Sequence, residues 1–436
     1  MQKLKRSLTL LDVVSLGIAN IIGAGIFVLS GVAAGLAGPS VILSFIVAGF
    51  VALITAFSSA ELSSFITKTG ASYAYTKDAF GNLAAFFVGW FVYFDEIVTV
   101  AALSVSAAAY FNALFSLPQE TLFITSIAFP ILFIFLNLIG IKETSVTATF
   151  MVFLKIFALS LILLFGILYL LGNFSPQRFV PFFPKGITGM LNGAAVVFFA
   201  FLGFNTVCMV SEETKNPKET IPKALLIAFS ISFIFYISIA FIEIGVMDWK
   251  SLGNVADPLA EIAKRICNNR LFFIFISFSA VVAMSSVILS SIVRGSRMVF
   301  AMARDGLLLK SFAHINERFK TPDFSIIFEG VIAIALAGIF YNNLDFLASI
   351  VNFGSLFTYL FIHLSVIKLR KTKPNAKRGF TTLYPFFPVI GAISCILLMF
   401  YLSNNAKIMA AIWGVIGAIV YFFVIKRKRK NAGGGI

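Results

Sequence analysis

The sequence predicts an all-α integral membrane protein of about twelve transmembrane helices, and three observations predict it. Of its 436 residues, 59% are hydrophobic and only 12% are charged, too little polar surface for a soluble domain. Apolar windows of about 20 residues recur along the whole length, each enough to cross a hydrocarbon core of about 30 Å. The 52 Phe residues suit a lipid-facing surface, which asks for no hydrogen-bond partners.

Between polar or Gly/Pro breaks the windows fall at 11–36, 40–64, 82–112, 121–140, 144–171, 187–211, 222–247, 271–302, 324–341, 345–368, 384–402 and 406–425. Residues 1–10 precede them and 426–436 follow as a basic tail. The opening stretch MQKLKRSLTLLDVVSLGIA has the charge and apolar run of a signal peptide. Its apolar run, however, continues into a Gly-rich motif where a cleavage site would stand. The net charge of +15 would suggest nucleic acid in a soluble protein. Here the bases concentrate in alternate loops. With both termini on one side, that face holds most of the 34 Lys and Arg, from Lys3, Lys5 and Arg6 to the run Lys426–Lys430. The positive-inside rule then places both termini in the cytoplasm of a multi-pass protein of the cytoplasmic membrane. The terminal run is a lipid-headgroup anchor, not a nucleic-acid patch. Cys208, Cys267 and Cys395 are odd in number, and two lie in apolar runs, so they imply no disulfide framework.

The first window contains NIIGAGIFVLSG, residues 20–31. Each glycine there costs about 0.5–1 kcal/mol relative to alanine in a helix interior. An unwound stretch in the bilayer leaves amides and carbonyls unpartnered unless it lines a protein cavity. An interrupted helix exposes the N-terminus of its outer half, whose N–H groups attract a carboxylate. The carbonyls ending its inner half attract an ammonium, so one broken helix can bind both ends of an α-amino acid. Close helix packing explains the Gly spacing equally well and suffices for Gly31. The second Gly-interrupted run, VVFFAFLGFNTV at 196–207, falls five spans later. Interrupted segments at matching positions of two halves point to a transporter site at midplane. An odd separation makes the second copy inverted.

Four motifs then carry a resemblance. LDVVSLGIANIIGAGIFVLSG resembles the first helix of the amino acid–polyamine–organocation transporters, and GASYAYTKDAFG (70–81) their loop after helix two. SEETKNPKETIPKAL (211–225) resembles their loop after helix six, and SRMVFAMARDGLLLKSFAHIN (296–316) the stretch leaving helix eight. The resemblance implies a LeuT-type fold with discontinuous helices 1 and 6. It comprises a first five-helix repeat at 11–171, an inverted second repeat at 187–368 and two extra helices at 384–425. It also implies that Gly23, Ala24 and Gly25 offer N–H groups to a substrate carboxylate, and that Ile21 and Ile22 turn carbonyls toward its amine. Carbonyls of Phe199, Ala200 and Leu202 would complete the ammonium site, with Phe201 covering the substrate. Asn205 stands where several relatives carry an acid.

Lys155, in TFMVFLKIFALSLIL, lies roughly 15 Å deep in its span, too far for a ~6 Å side chain to snorkel out. A buried lysine must find a partner or give up its proton, which suits a reversible proton carrier. The resemblance places it where sodium-driven relatives bind their ion, within reach of the first helix's carbonyls and of Ser285 and Ser286. Those serines can instead bond back to their own helix. Asp95 and Glu96 sit deep in helix three, about 100° apart, so at most one is expected to face the site squarely. Cationic amino-acid members carry an acid at the position similar to Asp95; its other reading is a structural partner for Arg294 or a loop base. Glu243 and Glu329 read as interfacial or paired. His314, in a loop, and His363, near a helix end, lack metal-ligand spacing, and no Walker A motif occurs. The partners implied are an amino-acid substrate, the proton as coupling ion and the lipid bilayer, with no enzyme activity, cofactor, metal or nucleic acid. The reading is a proton-coupled amino-acid transporter working by alternating access. An exchanger of amino acids or polyamines with a structural Lys155 is the second reading, and a transporter-like nutrient receptor the third.

Overall fold

The computed structural model describes residues 7–23, 25–66, 70–140, 145–210 and 213–433. Helix α1 (Leu10–Ile21) starts on a capping box in which the Thr9 N–H donates to Asp12 Oδ2 at 2.8 Å, satisfying donors freed at the helix start. It stops at Ile21, well short of the expected 11–36 span. The chain resumes as a π-helical turn, Gly25–Leu29, and α2 (Ser30–Ala37). A 3-10 turn at Gly38–Ser40 leads into α3 (Val41–Phe65), followed by α4 (Ser72–Phe80), α5 (Asn82–Phe115), α6 (Leu122–Leu138) and α7 (Ser145–Asn173).

The expected 187–211 span is interrupted in the same manner. It comprises α8 (Gly186–Val197), a 3-10 turn at Phe198–Phe201 and α9 (Asn205–Met209). Then come α10 (Pro217–Val246), two short helices in what the sequence offers as a loop, α11 (Trp249–Leu252) and α12 (Pro258–Ile266), and the long α13 (Arg270–Arg304). The chain ends in α14 (Asp323–Ile339), α15 (Leu344–Thr372), α16 (Phe386–Tyr401) and α17 (Asn404–Gly433). The last helix continues through the segment expected as a tail.

Among the described residues, nine helical stretches are long and apolar enough to cross a membrane, which makes this a multi-pass membrane protein. The first, Leu10–Phe65, is 56 residues long, more than twice one crossing. Helix α5 is the hub, packed by α13, α15, α6 and α14, while α10 packs on α1 and α3. Trp90 of α5 and Trp413 of α17 stack at 4.5 Å. Each indole N–H donates to the other residue's carbonyl, at 2.9 and 3.0 Å. Phe153, Phe400 and Phe422 stay exposed on the outside, as a lipid-facing surface permits.

His363 is not near a helix end but in the interior of α15, wholly buried. Its two ring nitrogens lie 3.1 Å from Thr55 Oγ1 and 3.0 Å from Ser58 Oγ. Two of the sequence motifs meet where α4 touches the end of α13. There Tyr73 donates to Asp305 Oδ2 at 2.7 Å and Lys77 pairs with the same carboxylate. Burial alone would raise the Asp305 carboxyl; these partners outweigh it and hold it below its usual range. The chain before α1 pairs with the segment after α9, Lys215 N–H donating to the Leu8 carbonyl at 2.9 Å. This ties the start of the first interrupted helix to the end of the second.

Candidate functional site

At the first break Ile22 turns out of helical geometry, with ψ 92°. At the second, Leu202 is extended and Gly203 takes φ +94°. The two breaks lie against each other. A Cβ on Gly25 would fall on the Ala200 backbone, and one on Gly203 would fall on the Asn20 carbonyl oxygen. Close approach therefore demands glycine at both places, and Gly203 also needs the left-handed φ. Gly31 packs elsewhere: its Cβ would stand 3.0 Å from the carbonyl of Leu252, the last residue of α11.

Unwinding frees carbonyls, and side chains from other helices take them up. Lys155, wholly buried in α7, donates from Nζ to the Ala19 carbonyl and to Ser286 Oγ, each at 2.8 Å. The Tyr236 hydroxyl of α10 bridges both breaks, lying 2.8 Å from the Ile21 carbonyl and 3.0 Å from that of Ala200. Asn352 of α15 donates through Nδ2 to the Ala195 and Val196 carbonyls, at 2.7 and 3.0 Å. The Tyr110 hydroxyl donates to the Phe27 carbonyl.

A cavity of about 90 Å³ lies between the breaks and α5, α13 and α15. That is space for on the order of six waters, or one small polar molecule. Ile21, Gly23, Gly25, Asp95, Phe199 and Leu202 line it, together with Glu96, Arg294 and Ser355. A wider opening of about 710 Å³ beyond α2, near Trp249 and Lys185, touches neither break. Ile22, Ala200 and Phe201 are buried but lie outside the cavity lining. Phe201, expected to cover a substrate, is turned instead into an aromatic cluster with Phe45, Phe229 and Tyr236. Phe199 and Tyr359 are the rings at the cavity. Ala24 lies outside the described residues. Of the two serines, Ser286 meets Lys155, and Ser285 sits one position round the helix, half-buried.

Asp95 and Glu96 both line the cavity, because the α5 face turned to it, Val92, Asp95, Glu96, Thr99 and Leu103, runs between them, so the two acids flank its centre and neither need face it squarely. They have different partners. Asp95 accepts from Ser355 Oγ at 2.7 Å, and its second oxygen has no hydrogen-bond partner among the described residues. Arg294 pairs with Glu96, not Asp95, through two bonds of 2.7 and 2.8 Å. The same guanidinium donates to Asn20 Oδ1 at 2.9 Å, so the end of α1 is tied to α13. Sequence reasoning missed Tyr236, Asn352 and Ser355. Each is an ordinary polar residue in an apolar run, with no local pattern to mark it.

A membrane bundle whose two interrupted helices meet over a small, partly polar cavity defines a permease for small solutes. A family model described as amino acid permease matches residues 8–425, and the chain belongs to that family, as its four motifs imply. It is 34% identical to the methylthioribose transporter of Bacillus subtilis (strain 168), over 98% of this chain and 95% of that one. It is 33% identical to the branched-chain amino acid permease BcaP of the same organism, with the same coverage. Cationic amino acid transporter 3, mitochondrial, of Arabidopsis thaliana is 30% identical over 86% of this chain and 64% of its own length. These relatives are transporters and permeases, not enzymes.

Proposed function

We propose that the protein is a proton-coupled amino-acid transporter working by alternating access, with Lys155 as a proton carrier. One observation carries the reading: a wholly buried lysine bonded at once to the end of α1 and to α13. Protonated, Lys155 holds α1, α7 and α13 together. After it gives up its proton toward the cytoplasm, the Ala19 contact weakens and the inner half of helix one swings free, releasing substrate inward. Intramembrane ionisable residues of this kind commonly serve as relays.

The transport fold we propose has twelve crossings. The Leu10–Phe65 stretch counts as two, and Asp323–Ile339 and Phe386–Tyr401 complete the set. Residues 11–171 and 187–368 form the inverted repeats and 384–425 the extra pair, with both termini in the cytoplasm of a cell-membrane protein. Gly23, Ala24 and Gly25 would offer N–H groups to the substrate carboxylate. The Ile21 and Ala200 carbonyls already accept from Tyr236. We assign the ammonium to the Leu202 carbonyl and to the second lone pair of the Phe199 carbonyl, whose first takes the Leu202 N–H at 3.2 Å, with Asp95 at the cavity for a second cationic group. Relatives named for branched-chain and for cationic amino acids fit a cavity with both apolar and anionic walls.

The test is uptake of labelled amino acids into proteoliposomes with and without an inward proton gradient. Gradient-driven accumulation is expected, and Lys155→Ala should lose it while keeping exchange against internal substrate. Accumulation indifferent to the gradient, or a Lys155→Ala protein with full gradient-driven uptake, would sink the reading.

A further inference from the structure

Glu329 of α14 has no place in that mechanism, yet its setting is unusual. It is wholly buried, and neither carboxyl oxygen has a hydrogen-bond partner among the described residues. The carboxyl occupies the room that Gly295 of α13 leaves open; a Cβ there would come within 2.6 Å of both oxygens. Beside it on α5 is Tyr93, wholly buried, whose hydroxyl is likewise without a partner among the described residues. The residue before Gly295 is Arg294, which is committed to Glu96, to Asn20 and to Ser291, the last at 2.8 Å.

The groups facing Glu329 are therefore Tyr93 and Glu96 from α5 and Arg294 from α13. Helix α6, which also packs on α14, presents no titratable side chain. Lys310, in the turn before α14, and Arg297 of α13 are exposed. A carboxylate stripped of water and given no donor is far less favourable than the neutral acid. A guanidinium lies nearby, but a second carboxylate already holds it.

We propose that Glu329 is a second proton-binding site, separate from Lys155, and that its carboxyl competes with Glu96 for Arg294. With its proton, Glu329 rests against Gly295 and leaves Arg294 to Glu96 and the end of α1. When the O–H bond breaks, the proton passes to water and the carboxylate keeps the electron pair. The new anion draws the guanidinium toward α14, and Asn20 is left tied to α13 only by the Ser290 hydroxyl, which donates to the same Oδ1 at 3.3 Å. The hold of α13 on the end of helix one is then loosened by a charge event beside Gly295, one position round α13 from the cavity-lining Arg294. Its use in transport rests on the proton-coupled reading; its proton and its competition for Arg294 do not.

Infrared pH titration of the full-length protein in lipid bilayers tests both parts. At neutral pH, Glu329→Gln should remove one protonated-carboxyl C=O band. Glu96→Gln should remove the same band, because Arg294 then takes Glu329 as its anion, and the double variant should lose nothing more. An unchanged spectrum in Glu329→Gln would show that no proton is held there. A band that persists in Glu96→Gln would overturn the competition. Glu329→Gln is close to isosteric, so the first part stands even if Glu96→Gln fails to assemble. In proteoliposomes, one proton bound there on substrate binding makes the logarithm of apparent substrate affinity fall by about one log unit per pH unit less in Glu329→Gln than in wild type. An equal slope rules out a role in coupling. A flat wild-type profile would instead count against proton coupling itself, leaving the infrared result to stand alone.

Discussion

The two interrupted helices share a layout and differ in what holds them. The break after α1 is met by charged groups: Lys155 on the Ala19 carbonyl and Arg294 on the Asn20 side chain. The break after α8 is met by neutral ones, Asn352 and Tyr236. Tyr236 also reaches the first break and so links the pair. A charge contact answers to protonation and a neutral hydrogen bond near pH 7 does not. On the reading proposed above, Lys155 makes the first break the half of the site on which a proton acts, and the second is the fixed wall.

The largest effect should come from abolishing the contact between the breaks. Gly203→Ala puts a methyl on the Asn20 carbonyl at a φ that alanine avoids, at a cost of about 3 kcal/mol or more. The expected outcome is little folded protein by size-exclusion fluorescence, and Gly25→Ala should behave alike. A Gly203→Ala protein with the wild-type melting midpoint would mean that the breaks do not lean on each other. Next in size is Lys155→Ala, expected to cut gradient-driven uptake by at least about 100-fold, with an effect that varies with pH. Tyr236→Phe is smaller and serves as its neutral counterpart. Loss of one hydroxyl over two buried carbonyls costs about 1–3 kcal/mol, read as a lower melting midpoint. That loss should be the same at pH 6 and pH 8. A pH-dependent loss would erase the distinction between the breaks.

Much of this arrangement was legible in the sequence, for physical reasons that also mark its limits. Twenty-residue apolar windows and Gly-interrupted runs are local patterns, so the helices and both breaks could be read directly. Lys155 stood out because a lone cation deep in a span is costly. The direction of an aromatic ring is set by helix rotation, which local pattern does not fix. Phe201 was accordingly expected at the cavity and lies in the cluster with Phe45 and Tyr236. The partner of Arg294 could not be chosen between adjacent acids for the same reason, and it is Glu96. Tyr236 and Asn352 act across more than 30 residues of chain on carbonyls freed elsewhere. A sequence does not display the fate of a backbone carbonyl.

The second half of the first interrupted helix makes a further contact, and the smallest predicted effect tests it. Helix α2 carries a cover that packs on it at Gly31, through the Leu252 carbonyl and Pro258. The residue before that proline is Asp257. Burial pushes its carboxyl up to about 6, with Lys264 opposing and Glu261 reinforcing the shift. In the unfolded chain the same group titrates near 3.9. Between about pH 4 and pH 6, folded protein keeps a proton that unfolded protein has released. Stability therefore falls as pH rises through that window and stays lower above it. Asp257→Asn removes the penalty, so it should raise the melting midpoint above pH 6 by the equivalent of about 1–2 kcal/mol, after allowance for solvent screening. Below pH 4 it should change nothing. A gain at pH 4 as large as that at pH 7 would show that the substitution acts through the helix start of α12 and not through the charge. It would also leave the cover over helix one as indifferent to protonation as the wall around helix six.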